Sequence, residues 1–174
     1  MDFSESDQSV VKEAVHRKNL IVIRSLTKTF SIPGLRLGYA VAPPETIFSL
    51  AQRQPPWSVN SLAEVVGKEL IKHRDYVEDS KQKIQQAYLR FFEALSTIPW
   101  LRPYPSHANF ILCRILDERI SSSLLQKELL SHQVLIRNCD NFRGLEKGRF
   151  IRLAVRREEE NEKLVRILNS LSAL

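Results

Sequence analysis

Several things are scarce in this chain, and each scarcity excludes a class of protein. Cysteine occurs only as Cys113 and Cys139 in 174 residues. Their spacing fits no zinc-ligand pattern, so two reduced thiols are expected rather than a metal module. No apolar run approaches the roughly 18 residues that a membrane-spanning helix needs. The N-terminal run Met1-Asp2-Phe3-Ser4-Glu5-Ser6-Asp7 is acidic and polar. It lacks the basic start and apolar stretch of a secretory signal, and the expected location is cytoplasmic. There is no internal repeat and no low-complexity tract.

What is present favours a packed protein. Hydrophobic residues make up 43% of the chain, enough for a core. The net charge is +6, yet the basic residues alternate with acids, as in Arg156-Arg157-Glu158-Glu159-Glu160. That pattern reads as a solvated helix face. Aromatic residues are not interleaved with basic ones as they are in single-strand binders, so nucleic acid is not an expected partner. A site for anionic small molecules would use the same positive bias at close range.

The hydrophobic pattern divides the chain at proline pairs. Val10–Lys18 reads as the end of a helix. Leu20-Ile21-Val22-Ile23 is short, continuous and β-branched, which predicts a buried parallel strand. Pro33-Gly34 marks a turn, and Leu35–Val41 reads as a second strand. Pro43-Pro44 opens a helix running to about Gln54. Pro55-Pro56 is the clearest break, after which Ser58 or Asn60 can cap helices over 61–73 and 75–95 with a kink near His73–Asp75. Beyond Pro99 the order is β-α-β-β-α: strands at Ala108–Ile115, Val134–Arg137 and Arg149–Val155, and helices at Ser121–Ser131 and Glu158–Leu171. This is an α/β lobe. The division predicted is 1–57, a connecting helical stretch at 58–96, and a small C-terminal α/β domain at 97–174.

The densest chemistry lies at Ser25-Leu-Thr27-Lys28, with Arg36 eight positions after the lysine. A lysine becomes a nucleophile when its geometry and protonation are controlled. Here it follows an apolar strand, where open α/β sheets place ligands. Ser25 and Thr27 offer hydroxyls, and Arg36 offers a guanidinium that can meet phosphate with two bonds. The set fits a phosphate-bearing carbonyl cofactor held by the lysine. On spacing alone, Lys28 and Arg36 as surface cations flanking a turn is the plainer reading. Ser-x-x-Lys also occurs in penicillin-binding enzymes, but their Ser-Asp-Asn and Lys-Thr-Gly elements are absent.

The stretch Ser25–Tyr39 closely resembles the cofactor-lysine motif of fold-type I pyridoxal-phosphate (PLP) enzymes, in the class I/II aminotransferase superfamily. The resemblance is stronger to the histidinol-phosphate aminotransferase branch. It implies that Lys28 forms the Schiff base with pyridoxal 5'-phosphate and that Ser25 and Arg36 bind the cofactor phosphate, with Thr27 adding a contact. Ser106-His107-Ala108-Asn109-Phe110 and Leu135-Ile136-Arg137-Asn138-Cys139 resemble the small domain of that branch, as does Phe142-Arg143-Gly144-Leu145. Phe150-Ile151-Arg152-Leu153-Ala154 resembles the strand whose arginine grips a substrate α-carboxylate. That role falls to Arg152, and Arg137 becomes a candidate for a phosphate on the substrate side chain. As residues, both arginines also admit a structural ion pair.

One element is narrower. Arg53-Gln54-Pro55-Pro56-Trp57-Ser58-Val59-Asn60, with Ser31-Ile32-Pro33-Gly34, is similar to the threonine-phosphate decarboxylases of cobalamin biosynthesis. The resemblance implies a phosphorylated amino-acid substrate and a homodimer. It leaves decarboxylation and transamination open. It also implies an Asp-Glu-Ala-aromatic run, a ring-stacking aromatic and a glycine-containing phosphate loop upstream of the lysine, none of which occurs here. With only 5 glycines, the chain is expected to be the C-terminal portion of such an enzyme. A non-catalytic fragment is the alternative from another class.

Other residues carry plainer expectations. His16, His73, His107 and His132 have no metal spacing. Tyr39 is expected in the core, Trp57 at a lobe junction or a cleft, and Asn109 and Cys139 in structural roles.

Overall fold

The computed structural model describes residues 9–171. The chain divides into two compact units, the first ending at Lys81 and the second beginning at Gln82. Each is built on its own sheet.

The first unit begins with α1 (Val11–Ala14), then β1 (Val22–Ser25) and the single turn α2 (Leu26–Thr29). β2 (Gly38–Val41) returns antiparallel to β1, with Ser25 opposite Gly38 and Val22 opposite Val41. Two helices follow, α3 (Pro44–Ala51) and α4 (Ser61–Leu70). Pro44 sits in the first turn of α3, where its missing N–H costs nothing. Asn60 caps α4, its side-chain oxygen accepting from Ala63 N at 2.9 Å.

This sheet corrects the expected buried parallel strand. The pairing is antiparallel, and Ile23 is 80% exposed. The reason is that burial of a strand depends on its neighbours, which a local apolar run does not reveal. Tyr39 is also exposed, at 47%, rather than in a core. Among the described residues, the buried apolar side chains of this unit are Ala14, Ala42 and Ala63. Phe48, Leu62, Val65 and Ile71 are each more than two-thirds exposed. Large side chains contribute roughly 1.5–3 kcal/mol each only when fully buried, so this unit draws little stability from its own core.

A 23-residue helix, α5 (Arg74–Ser96), spans the division. The expected kink near His73–Asp75 is a complete break between α4 and α5.

The second unit is a four-stranded antiparallel sheet covered by helices. Its strands are β3 (Leu101–Pro103), β4 (Phe110–Ile115), β5 (Arg137–Asn138) and β6 (Phe150–Ala154), in the order β3-β4-β6-β5. Its later helices are α6 (Ser122–Ser131) and α7 (Glu158–Ser170). Strand alternation explains the core. Ile111, Cys113 and Ile115 of β4, with Ile151 and Leu153 of β6, are buried with Phe91 and Leu95 of α5, Leu125 and Leu129 of α6, and Leu164 and Leu168 of α7. The alternate residues, Leu112, Arg114 and Arg152, lie on the opposite face and are half-buried. The expected strand at Val134–Arg137 shrinks to Arg137–Asn138, and β3 was not anticipated.

Asp140 fastens the entry to this sheet. Its carboxylate accepts from Ser122 Oγ at 2.7 Å and from Gly148 N at 2.9 Å. Those bonds, the Ser122 hydroxyl foremost, hold its carboxyl below the usual carboxylate range. Cys113 and Cys139 are free and buried, as expected of reduced structural thiols. Burial pushes the Cys113 thiol up to about 12.

Candidate functional site

In the first unit, the lysine sits where strand becomes helix. Ser25 is both the last residue of β1 and the N-cap of α2, with extended backbone angles. Sequence reading expected a loop here; one turn of helix takes its place. The turn orders the hydroxyls: Ser25 Oγ and Thr27 Oγ1 lie 2.8 Å apart, and Thr27 is buried. Lys28, one residue on, is exposed, and its side chain makes no hydrogen bond or ion pair with another described residue, while its carbonyl accepts from Ser31 N at 3.3 Å.

Arg36 is brought back to this turn by the antiparallel return of the chain. Leu26 N donates to Leu37 O at 3.0 Å, immediately beside Arg36. The intervening loop is stitched by Ile32 N to Thr27 O and by Leu35 N to Ile32 O. Arg36 itself has φ of 54°, a left-handed conformation that costs a non-glycine residue about 1–2 kcal/mol. Its guanidinium is exposed and donates to Pro33 O at 3.2 Å. The four residues expected to act together, Ser25, Thr27, Lys28 and Arg36, therefore share one turn and its return. Gly38 is required there: a Cβ would lie 2.6 Å from Arg24 O, so only glycine lets β2 pair this closely with β1.

In the second unit, Arg152 of β6 stands directly opposite Arg137 of β5 and, on its other side, opposite Leu112 of β4. The Arg152 guanidinium lies 4.6 Å from the centre of the Phe110 ring. Arg137 donates to Asn141 Oδ1 at 3.1 Å and stands 5.6 Å from the Phe142 ring. Neither arginine pairs with an aspartate or glutamate among the described residues. No structural ion pair of either arginine therefore occurs among the described residues. Arg137 is exposed and Arg152 half-buried.

Sequence reading missed three supports. Phe110 under Arg152 depends on the β4–β6 register, which no local pattern encodes. Of the partners of Arg137, Phe142 lies within a quoted resemblance run and Asn141 just before it, and neither contact shows in the run itself. Asn60 reads as a helix cap and as the end of the Arg53–Asn60 element, and its Nδ2 also donates to Leu35 O at 3.1 Å.

His73 and His132 form surface pairs with Glu69 and Glu128. No group of metal-binding side chains occurs among the described residues. No helix among them is long and apolar enough to cross a membrane. Trp57 is 96% exposed, with φ of 62°.

The model of the family Aminotransferase class I and II matches residues 1–168. The chain belongs to that family. It is 40% identical over 163 residues to the adenosylcobalamin biosynthesis bifunctional protein CobDQ of Leptospira interrogans, covering 94% of this chain and 18% of that protein. It is 35% identical to the threonine-phosphate decarboxylase of Salmonella typhimurium, over 98% of this chain and 46% of that enzyme. Among solved structures it resembles the histidinol-phosphate aminotransferase of Clostridium acetobutylicum, with 36% identity and a TM-score of 0.88 over 96% of this chain and 50% of that one. The chain therefore spans less than half the length of these curated relatives. Its fold is that of fold-type I aminotransferases over the matched half, as the motif at Ser25–Tyr39 implied.

Proposed function

We propose that this chain is the lysine-bearing portion of a pyridoxal-phosphate enzyme that decarboxylates a phosphorylated amino acid of the threonine-phosphate type. The observation that carries the reading is that Ser25, Thr27 and Lys28 share one turn, and that the returning chain brings Arg36 beside it through the bond from Leu26 N to Leu37 O. The donor set fits a phosphorylated aldehyde: hydroxyls and guanidinium suit the phosphate, and a primary amine suits the carbonyl. In this reading residues 1–57 belong to the cofactor-binding body, 58–96 connect, and 97–174 form the small domain.

When bound, pyridoxal phosphate supplies an electron sink for the pair released as a bond at the substrate Cα breaks. The protein's residues decide which bond that is. Lys28 would hold the cofactor's carbonyl carbon, and its amine would be the group placed to carry a proton. Ser25, Thr27 and Arg36 would hold the phosphate and so set the cofactor's position. Arg152 takes the substrate α-carboxylate, and Arg137 takes the phosphate on its side chain. Two guanidinium groups on neighbouring strands suit a substrate with two anionic groups.

Support for the decarboxylase comes from the Pro-Trp-Ser-Val-Asn run and from the identity to the Salmonella enzyme. The second reading is transamination of histidinol phosphate or an aromatic amino acid, favoured by the likeness to the Clostridium aminotransferase. A product assay separates them. The native protein supplied with O-phospho-threonine and pyridoxal phosphate should release carbon dioxide and aminopropanol phosphate. Oxoglutarate-dependent formation of glutamate, without carbon dioxide, would replace the first reading with the second.

A further inference from the structure

Arg36 is held from both sides by a single helix. On one side, the Asn60 side chain reaches across 25 positions of sequence to Leu35 O while its oxygen caps α4. On the other side, Gly67 of α4 approaches Leu37 so closely that a Cβ there would lie 2.7 Å from Leu37 Cδ2. Leu35 and Leu37 are the two chain neighbours of Arg36, and Leu37 O is also the acceptor for the first amide of the lysine turn. The residue between these two anchors adopts the left-handed conformation that an arginine does not choose unaided.

We propose that α4 is the positioning element for Arg36, with Asn60 as the side chain that sets it. The proposal rests on the reading of Arg36 as a phosphate-binding residue. Asn60 touches neither cofactor nor substrate in this account. It fixes the carbonyl before Arg36, and so limits the directions in which the guanidinium can be presented. The amide suits both tasks because it offers an acceptor and a donor on one short side chain. Aspartate or serine could cap the helix as well, and threonine nearly so, but none offers the amide donor. Glycine at position 67 has a matching rationale: it is the small residue that lets α4 lie against Leu37.

The test compares pyridoxal phosphate with pyridoxal, which lacks the phosphate. Binding of each to this chain is read by titrating the visible absorbance and by the covalent label left after borohydride reduction. The variants are Asn60→Ser and Asn60→Thr, which keep the helix cap, and Arg36→Ala as the reference. Loss of one neutral hydrogen bond corresponds to roughly a 2- to 10-fold change in an equilibrium constant. Both Asn60 variants should therefore weaken pyridoxal phosphate by about that factor and leave pyridoxal unchanged. Amide exchange at residues 35–37 should quicken in the same variants without any ligand. If the two compounds weaken equally, or neither weakens while exchange stays slow, the positioning role is wrong. If Arg36→Ala leaves the preference for pyridoxal phosphate intact, or the wild-type chain shows no preference, the phosphate reading of Arg36 fails and this proposal falls with it.

Discussion

Arg137 and Arg152 stand directly opposite one another on β5 and β6, two like charges in a single cross-strand pair. Such pairs are unfavourable, by roughly 0.2–1 kcal/mol, unless something offsets the repulsion. The Phe110 ring faces one guanidinium, and Asn141 and Phe142 hold the other. Arg137→Gln should therefore stabilise the second unit slightly in low salt. Added phosphate should erase the gain by stabilising the wild-type chain more. Thermal unfolding with and without phosphate measures both effects. A variant less stable than wild type under both conditions would show that Arg137 is structural.

Asp140 ties three segments together, and its loss should be felt in the fold rather than in chemistry. Asp140→Ala removes the acceptor for the fully buried Ser122 hydroxyl and for Gly148 N. Leaving such groups unsatisfied costs about 1–3 kcal/mol each, so denaturant midpoints should fall clearly. The pH dependence has a definite sign. The folded-state pKa lies below the unfolded one, so the stabilisation is complete above the ordinary carboxylate range. It disappears as pH falls through the folded value, below about 4. Wild type and variant should thus converge in acid. A stability difference that persists unchanged as the pH falls would contradict the assignment.

The two thiols should be silent in the native state. Cys113 is fully buried and its thiol is pushed up to about 12, so almost no thiolate exists at pH 8. Cys139 is buried and likewise raised, burial outweighing the nearby Arg152 and Arg137. A thiol reagent at pH 8 should label neither residue until denaturant is added, and both afterwards. Rapid labelling of native Cys139 would show that the β5 region opens readily.

Gly38 offers a test of the lysine turn that leaves its chemistry untouched. A methyl group at Gly38 would meet Arg24 O, a backbone atom that cannot move without breaking the strand pair. Gly38→Ala should cost about 1–3 kcal/mol, in the range of an overpacked site. Hydrogen exchange should quicken at Val22–Ser25 and at the Leu26 amide. Unchanged protection there would mean that the β1–β2 pairing is looser than the register indicates.

What the sequence revealed follows from which forces are local. Caps and proline starts were readable because they act within four residues: Asn60 before α4 and Pro44 opening α3. The strands at Ala108–Ile115 and Arg149–Val155 were readable as apolar runs, although which of their residues face the core was not. The pairing of β1 was not. Its apolar run predicts burial but carries no information on its partner, and Ile23 and Tyr39 are exposed in consequence. The three-residue β3 is too short to show a period. At the candidate site, the residue types at Ser25, Thr27, Lys28 and Arg36 were readable. The supports from Asn60 to Leu35 and from Phe110 to Arg152 were not, because each joins residues far apart in the chain.

The central claim is that Lys28, on its single turn of helix, is the amine that holds the cofactor carbonyl. The chain incubated with pyridoxal phosphate, reduced with borohydride and digested would reveal the modified lysine by peptide mass mapping. A label concentrated on Lys28 and lost in Lys28→Ala is the expected result, with Lys12, Lys18, Lys68 and Lys72 as internal controls. A label spread over these exposed lysines, with Lys28 no higher than the rest, would contradict the claim.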